Sequence, residues 1–216
     1  LEKLAGSIKQ AGMKSINVSL DALDEDVYFL MSKRNNVQRI IRGIDAAIEA
    51  GLSVKINAVV MKGINESQVL PLLEYAFSRK IIIRFLEVMA MGHLHQSANK
   101  YLFSRHEILD LIGSRYAFHE LPRTNSSTSE YWQTQQDNIF GIIANESEPF
   151  CHDCNRLRLD SEGNIYGCLS NNHPISLVGI DEQKPLVEKL LEALSQKQAV
   201  RYVGSELSIL AICGLQ

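Results

Sequence analysis

The sequence predicts an α/β fold: a parallel sheet built from consecutive β/α units, followed by an antiparallel β extension and a helix. Three observations predict it. Apolar residues switch repeatedly between helical and strand spacing through residues 1–86. Ile81 to Leu86 is almost continuously apolar, as a strand covered on both faces requires. Beyond residue 136 the apolar segments shorten, and Glu162-Gly163-Asn164 reads as a hairpin turn between two of them.

Each element has its own signal. Leu1 to Gly12 carries Leu4, Ile8 and Ala11 on one helical face, with Gly12 as the stop. Ser15 to Leu20 reads as a short strand. Asp24-Glu25-Asp26 opens a helix, where acids suit the positive end of the dipole. Val37 to Ala50 repeats Ile40, Ile41, Ile44, Ala47 and Ile48 at helical spacing, and Gly51 ends it. Val54 to Val60 is a strand. Glu66 to Arg79 is a helix with Asn65 as its cap and Pro71 near its start. Strand, helix, strand, helix, strand gives right-handed crossovers and a parallel sheet. This pattern fits a doubly wound sheet and part of a β/α barrel equally. Tyr101 to Ser114 is expected as one helix, and Arg123 to Gln136 as a loop or irregular strand pair. Asn138 to Ala144, Leu157 to Leu159 and Ile165 to Cys168 are expected as short antiparallel strands, and Lys184 to Ser195 as a helix. The division expected is a partial barrel over 1–100 and an extension over 101–216.

Composition narrows the function. The chain has 216 residues, 45% hydrophobic and 22% charged, with a net charge of -3. That balance gives no field for a polynucleotide, so an anion site has to be a local group of Arg and Lys. No apolar run approaches the roughly 20 residues that span a bilayer, and no secretory signal opens the chain. The expected location is the cytoplasm. The chain does not begin with Met, so a fragment or a processed chain is expected.

Of four cysteines, Cys151, Cys154 and Cys168 crowd together and Cys213 stands apart. A C-x2-C pair on a tight loop brings two thiolates to one centre, and a hairpin returns the third. Zinc requires a fourth ligand, for which His152, His173 and Cys213 are the candidates. Three thiolates can instead hold a four-iron cluster with one iron open. The spacing points to metal without choosing between these. Arg156 and Arg158 follow at once, and strand alternation places them on one face as a clamp for phosphate or carboxylate. His93 and His95, two apart after Gly92, read as an exposed loop pair.

Pro149-Phe150-Cys151-His152-Asp153-Cys154-Asn155-Arg156-Leu157-Arg158-Leu159, then Gly163 and Cys168-Leu169, closely resembles the C-terminal cluster motif of the GTP 3',8-cyclase family. These are radical S-adenosylmethionine (SAM) enzymes of molybdenum cofactor biosynthesis. Asn17 to Asp21, Val54 to Val59, Arg84 to Glu87 and Met89 to Gly92 resemble further segments of the family in the same order, so the similarity covers roughly residues 1 to 170. The resemblance implies an incomplete radical SAM β/α barrel with an extension. It implies that Cys151, Cys154 and Cys168 ligate a 4Fe–4S cluster whose open iron meets the guanine of GTP. It assigns GTP contacts to Lys55, Arg84, Arg156 and Arg158, and SAM contacts to Ser19 and Met89. In the family, a 5'-deoxyadenosyl radical removes the ribose 3' hydrogen, and the product is (8S)-3',8-cyclo-7,8-dihydroguanosine 5'-triphosphate. The partners implied are GTP, SAM, the next enzyme of the molybdopterin pathway as product acceptor, and a second copy in a homodimer. Nucleic acid and membrane are not expected.

The sequence departs from the family at named places. No C-x3-C-x2-C, the motif of a second 4Fe–4S cluster that cleaves SAM, occurs in the 216 residues. The end, Ile212-Cys213-Gly214-Leu215-Gln216, has one Gly where the family has two, and Val88 and Ala90 replace an aromatic and a Pro. The segment Asn171 to Leu177 is also unlike the family. The competing expectations are a nucleotide-binding iron–sulfur protein without radical chemistry and a structural zinc protein.

Overall fold

The computed structural model describes residues 1–94, 96–169, 171 and 173–197. His95, Cys213 and the 212–216 tail lie outside the described residues, as does the side chain of His93. The chain forms two compact units. The first takes residues 1–88, 101–123 and 129–144; the second takes 89–100, 124–128 and the described part of 145–216.

The first unit is a mixed α/β layer. In chain order it runs α1 (Ala5–Gln10), β1 (Ser15–Ser19), α2 (Glu25–Ser32), α3 (Val37–Glu49), β2 (Ser53–Val60), α4 (Val69–Ser78) and β3 (Ile82–Glu87). After α5 (Ala98–Tyr101), a single turn that lies mostly in the 89–100 segment of the second unit, the first unit continues with α6 (Arg105–Gly113), β4 (Phe118–Leu121), β5 (Glu130–Thr134) and β6 (Ile139–Ile143). The six strands lie in the order β1-β2-β3-β6-β5-β4. β1, β2, β3 and β6 are parallel neighbours, and β5 and β4 add antiparallel. This is the parallel-rich sheet of a partial β/α fold.

Alternation along the strands explains the core. Val54, Ile56, Ala58 and Val60 are buried on one face of β2, and Ile83 and Phe85 continue that face on β3. Ile44, Ala47, Leu72, Leu73, Ala76, Ile108 and Ile112 pack on it from α3, α4 and α6. Each fully buried aliphatic side chain contributes about 1.5–3 kcal/mol of transfer free energy, so this face holds the layer together.

Four sequence expectations change. Asn138 to Ala144 was expected among the antiparallel strands of the extension; β6 instead pairs parallel to β3 and antiparallel to β5. Its Phe140 and Ile142 are core residues, and Trp132 of β5 stacks on Phe140 at 5.6 Å between ring centroids. Of the loop or irregular strand pair expected at 123–136, burial of that ring draws Glu130–Thr134 into a regular strand of the main sheet. The helix expected over Tyr101–Ser114 breaks before Ser104, whose hydroxyl caps α6 in a capping box with Glu107. The Ser-x-x-Glu pattern for this was present in the sequence. Finally, Asn65 does not cap a helix. A 3-10 turn, Glu66–Gln68, precedes α4, and the buried Asn65 amide is used elsewhere. Its oxygen accepts from Met61 N–H at 2.7 Å, and its nitrogen donates to the Asp21 and Val59 carbonyls at 2.9 and 2.8 Å.

The second unit carries a 3-10 turn at Cys151–Asp153 and then β7 (Arg158–Leu159), β8 (Asn164–Tyr166), β9 (Ile175–Ser176) and α7 (Gln183–Ser195). The three short strands pair antiparallel. Gly163 turns β7 into β8 at φ +80°, a conformation that a side chain would strain. Ile165, Ile175 and Ala193 of α7 form its small core.

Candidate functional site

In the first unit, the polar face of the sheet is set by strand register. Asn17 of β1 sits beside Lys55 of β2; Ser19, Asn57, Arg84 and Gly141 align in one row across β1, β2, β3 and β6. Because side chains alternate, these residues share the face opposite the packed core. The structure therefore brings Ser19, Lys55 and Arg84 to one surface. Arg84 is held in place: its Nε donates to Asn57 Oδ1 at 2.8 Å, and an Nη donates to Asn17 Oδ1 at 2.8 Å. These partners are neutral amides, so they orient the guanidinium without cancelling its charge. Gly141 leaves room for it. A Cβ there would lie 2.9 Å from the Tyr131 ring and 3.2 Å from Arg84 Cγ. Glu87, buried at the end of β3, accepts from the Arg105 N–H at 2.8 Å and fastens the start of α6.

In the second unit, Cys151 opens the 3-10 turn, Cys154 follows it, and Cys168 follows β8. All three are half-buried. Met91 is buried among Met89, Cys151, Tyr166, Cys168 and Leu169, so soft, apolar side chains sheathe two of the thiols. Burial pushes the Cys151 thiol up, and the neighbouring Cys168 and Cys154 add to it. Burial also raises Cys154, but the Arg156 backbone N–H, the Arg156 guanidinium and Lys197 together outweigh it, and the net shift is downward. The Arg156 guanidinium lies 3.3 Å from Cys154 Sγ, donates to the Ser126 carbonyl at 3.2 Å, and sits 5.3 Å above the Phe150 ring. Ser126 in turn binds Asp153, its N–H and hydroxyl each donating at 2.8 Å. The 124–128 loop thereby fixes the Cys151–Cys154 turn. Arg158 lies on β7 and donates to the Leu157 carbonyl at 3.3 Å. Arg156 precedes the strand, so strand alternation does not set its direction.

Among the described residues, no group of three or more His, Cys, Asp or Glu side chains is arranged to hold a metal ion. His152 and His173 are both exposed. Sequence reasoning missed Asn17, Asn57, Met91, Ser126 and Lys197. Alternation could have found the two asparagines, because each lies two residues from a residue already singled out. Met91 likewise lies two residues from Met89; nothing local marks Ser126 and Lys197, which reach the Cys151–Cys154 segment through tertiary packing.

Comparison with known proteins decides the family. Residues 81–203 match the family model described as Molybdenum Cofactor Synthesis C, and residues 1–76 match the Radical SAM superfamily. The chain belongs to the Molybdenum Cofactor Synthesis C family. Four-iron clusters and SAM are general attributes of the radical SAM enzymes to which its first part is similar. A relative from Nautilia profundicola, described as GTP 3',8-cyclase, is 40% identical over 169 residues, which is 78% of this chain and 52% of the relative. One from Campylobacter lari with the same description is 39% identical over 177 residues, 82% of this chain and 54% of that one. One from Aliarcobacter butzleri, also described so, is 33% identical over 204 residues, 91% and 62%. The chain thus spans about half the length of the first two relatives. Cys151, Cys154, Arg156, Arg158 and Cys168 all lie within the range that this model matches. No helix among the described residues is long and apolar enough to cross a membrane.

Proposed function

We propose that the protein is a GTP 3',8-cyclase of molybdenum cofactor biosynthesis, and that this chain carries its nucleotide-binding iron–sulfur part. The observation that carries the reading is the trio of half-buried cysteines with two cations against the sulfur of one of them. Cys151, Cys154 and Cys168 hold a 4Fe–4S cluster. The donor set suits it: each thiolate of such a cluster bonds a different iron, so the three need not converge on one ion. Arg156 and Lys197 offset the negative charge that thiolates bring. When bound, the cluster supplies one iron open to the substrate.

The chain's own residues do the rest. Lys55 and the oriented Arg84 bind phosphate oxygens as point charge and fork. Arg156 and Arg158 contact GTP beside the thiols, and Ser19 and Met89 contact SAM. Radical formation requires a second cluster on a C-x3-C-x2-C motif, which these 216 residues do not contain. The chain alone therefore does not cleave SAM. The next enzyme of the molybdopterin pathway accepts the product, a homodimer is the working assembly, and the cytoplasm is the setting.

GTP titration by calorimetry tests this. The Arg156→Ala, Arg158→Ala double variant loses about 1.5–3 kcal/mol per charged contact. Unchanged GTP affinity in that variant refutes the clamp, and 5'-deoxyadenosine formed by the isolated chain under reducing conditions refutes the division of labour.

A further inference from the structure

Lys197 stands two residues after α7, and its ammonium reaches three acceptors at once. It donates to the Arg156 carbonyl, to the Gly167 carbonyl at 3.0 Å, and lies 3.5 Å from Cys154 Sγ. An ammonium has three protons, and these partners use all three. Two of the acceptors belong to the two cysteine-bearing segments: Arg156 stands two residues after Cys154, and Gly167 immediately before Cys168. One half-buried cation therefore ties both segments together and points a positive charge at a ligand sulfur. Its anchor is firm. The Ala193 backbone of α7 lies so close to Gly167 that a Cβ there would meet the Ala193 carbonyl oxygen at 2.1 Å.

We propose that Lys197 is a positioning residue of the cysteine site that raises the reduction potential of the cluster held by Cys151, Cys154 and Cys168. The inference rests on the cluster assignment made above. Reduction adds negative charge to a cluster and its thiolates. A cationic donor aimed at a ligand sulfur stabilises the reduced state more than the oxidised one, and hydrogen bonds to the sulfurs are among the terms that set such potentials. Arg156 donates to the same sulfur, so loss of Lys197 leaves one cation in place and gives a graded effect.

The test is a redox titration followed by electron paramagnetic resonance on the anaerobically reconstituted full chain. Lys197→Gln removes the charge but keeps an amide donor; Lys197→Arg keeps the charge. In the Gln variant the oxidised-to-reduced equilibrium shifts about tenfold toward oxidised, which is about 59 mV more negative for one electron. The Arg variant stays near the parent. If the Gln variant loads less iron, the midpoint is read on the fraction that keeps its cluster, because the resonance reports only reduced cluster. An unchanged midpoint in the Gln variant overturns the proposal, as does an equal shift in both variants. A parent chain that forms no cluster overturns the assignment beneath it, and this inference with it.

Discussion

Replacement of Gly167 by Ala probes how α7 supports the cysteine site. Gly167 precedes Cys168, and its missing side chain lets the α7 backbone approach. A Cβ built there lies 2.1 Å from the Ala193 carbonyl oxygen, 3.3 Å from the Ala193 carbonyl carbon and 3.2 Å from Gln196 Cβ. Ordinary Cβ contacts do not fall below 3.0 Å, and the obstacle is backbone, so no rotamer change relieves it. The end of α7 has to withdraw by roughly 1 Å, and overpacking of this kind costs about 1–3 kcal/mol. Ala193 is completely buried with Ile165 and Ile175, so the withdrawal also loosens that core. Amide hydrogen exchange reads the effect locally. Amides of residues 183–197 exchange about five to 150 times faster, the ratio equivalent to that energy, while those of β1, β2 and β3 are unchanged. Gly6→Ala is the control: no atom lies within 4 Å of its added Cβ, and in α1 it is neutral or stabilising by up to about 1 kcal/mol. Unchanged exchange along α7 in Gly167→Ala refutes the close approach.

Three further outcomes follow from single residues. Asn65→Ala strands the Met61 N–H and the Asp21 and Val59 carbonyls in a buried site, so thermal unfolding shows a loss of about 2–4 kcal/mol; a loss within the error of the measurement contradicts that bonding. Glu107→Gln weakens the α6 cap by about 1 kcal/mol at neutral pH. The hydrogen bond from Lys62, then that from the Ser104 N–H, lowers the Glu107 carboxyl from 4.5 to about 2. A depressed carboxyl stabilises the fold above its unfolded value and loses that contribution as pH falls through its folded one. Parent and variant denaturation midpoints therefore converge between about pH 4.5 and 2, and a constant gap across that window contradicts the ion pair. Arg84→Met lowers triphosphate affinity several-fold with little change in stability, because its partners Asn17 and Asn57 stay accessible to water at the strand surface; calorimetry showing equal affinity removes Arg84 from the phosphate site.

The alternation of apolar and helical spacing through residue 87 made the parallel sheet legible, since β1, β2 and β3 are local patterns bounded by clear stops such as Gly12 and Gly51. β6 was legible as a strand but not as a partner of β3. Its partner is distant in sequence, and nothing in Ile139–Ile143 encodes which edge it joins. β5 lay in the segment expected as a loop or an irregular strand pair, and β4 just before it, because both are rich in polar residues; Phe118 and Trp132 are the aromatic residues that reach the core. The three cysteines and the Arg pair stood out as candidates through spacing and resemblance, but the strand face expected to be shared by Arg156 and Arg158 is absent because Arg156 precedes β7. Lys197 was not, because its importance comes from the packing of α7 on Gly167, a relation between backbones that composition does not reveal.

Metal analysis of the anaerobically reconstituted chain tests the central assignment most directly, with the Cys151→Ser, Cys154→Ser, Cys168→Ser variant alongside. The account predicts about four irons and matching sulfide per chain, with visible absorbance, all lost in the variant. Stoichiometric zinc without colour in the parent, or iron retained in the variant, contradicts it.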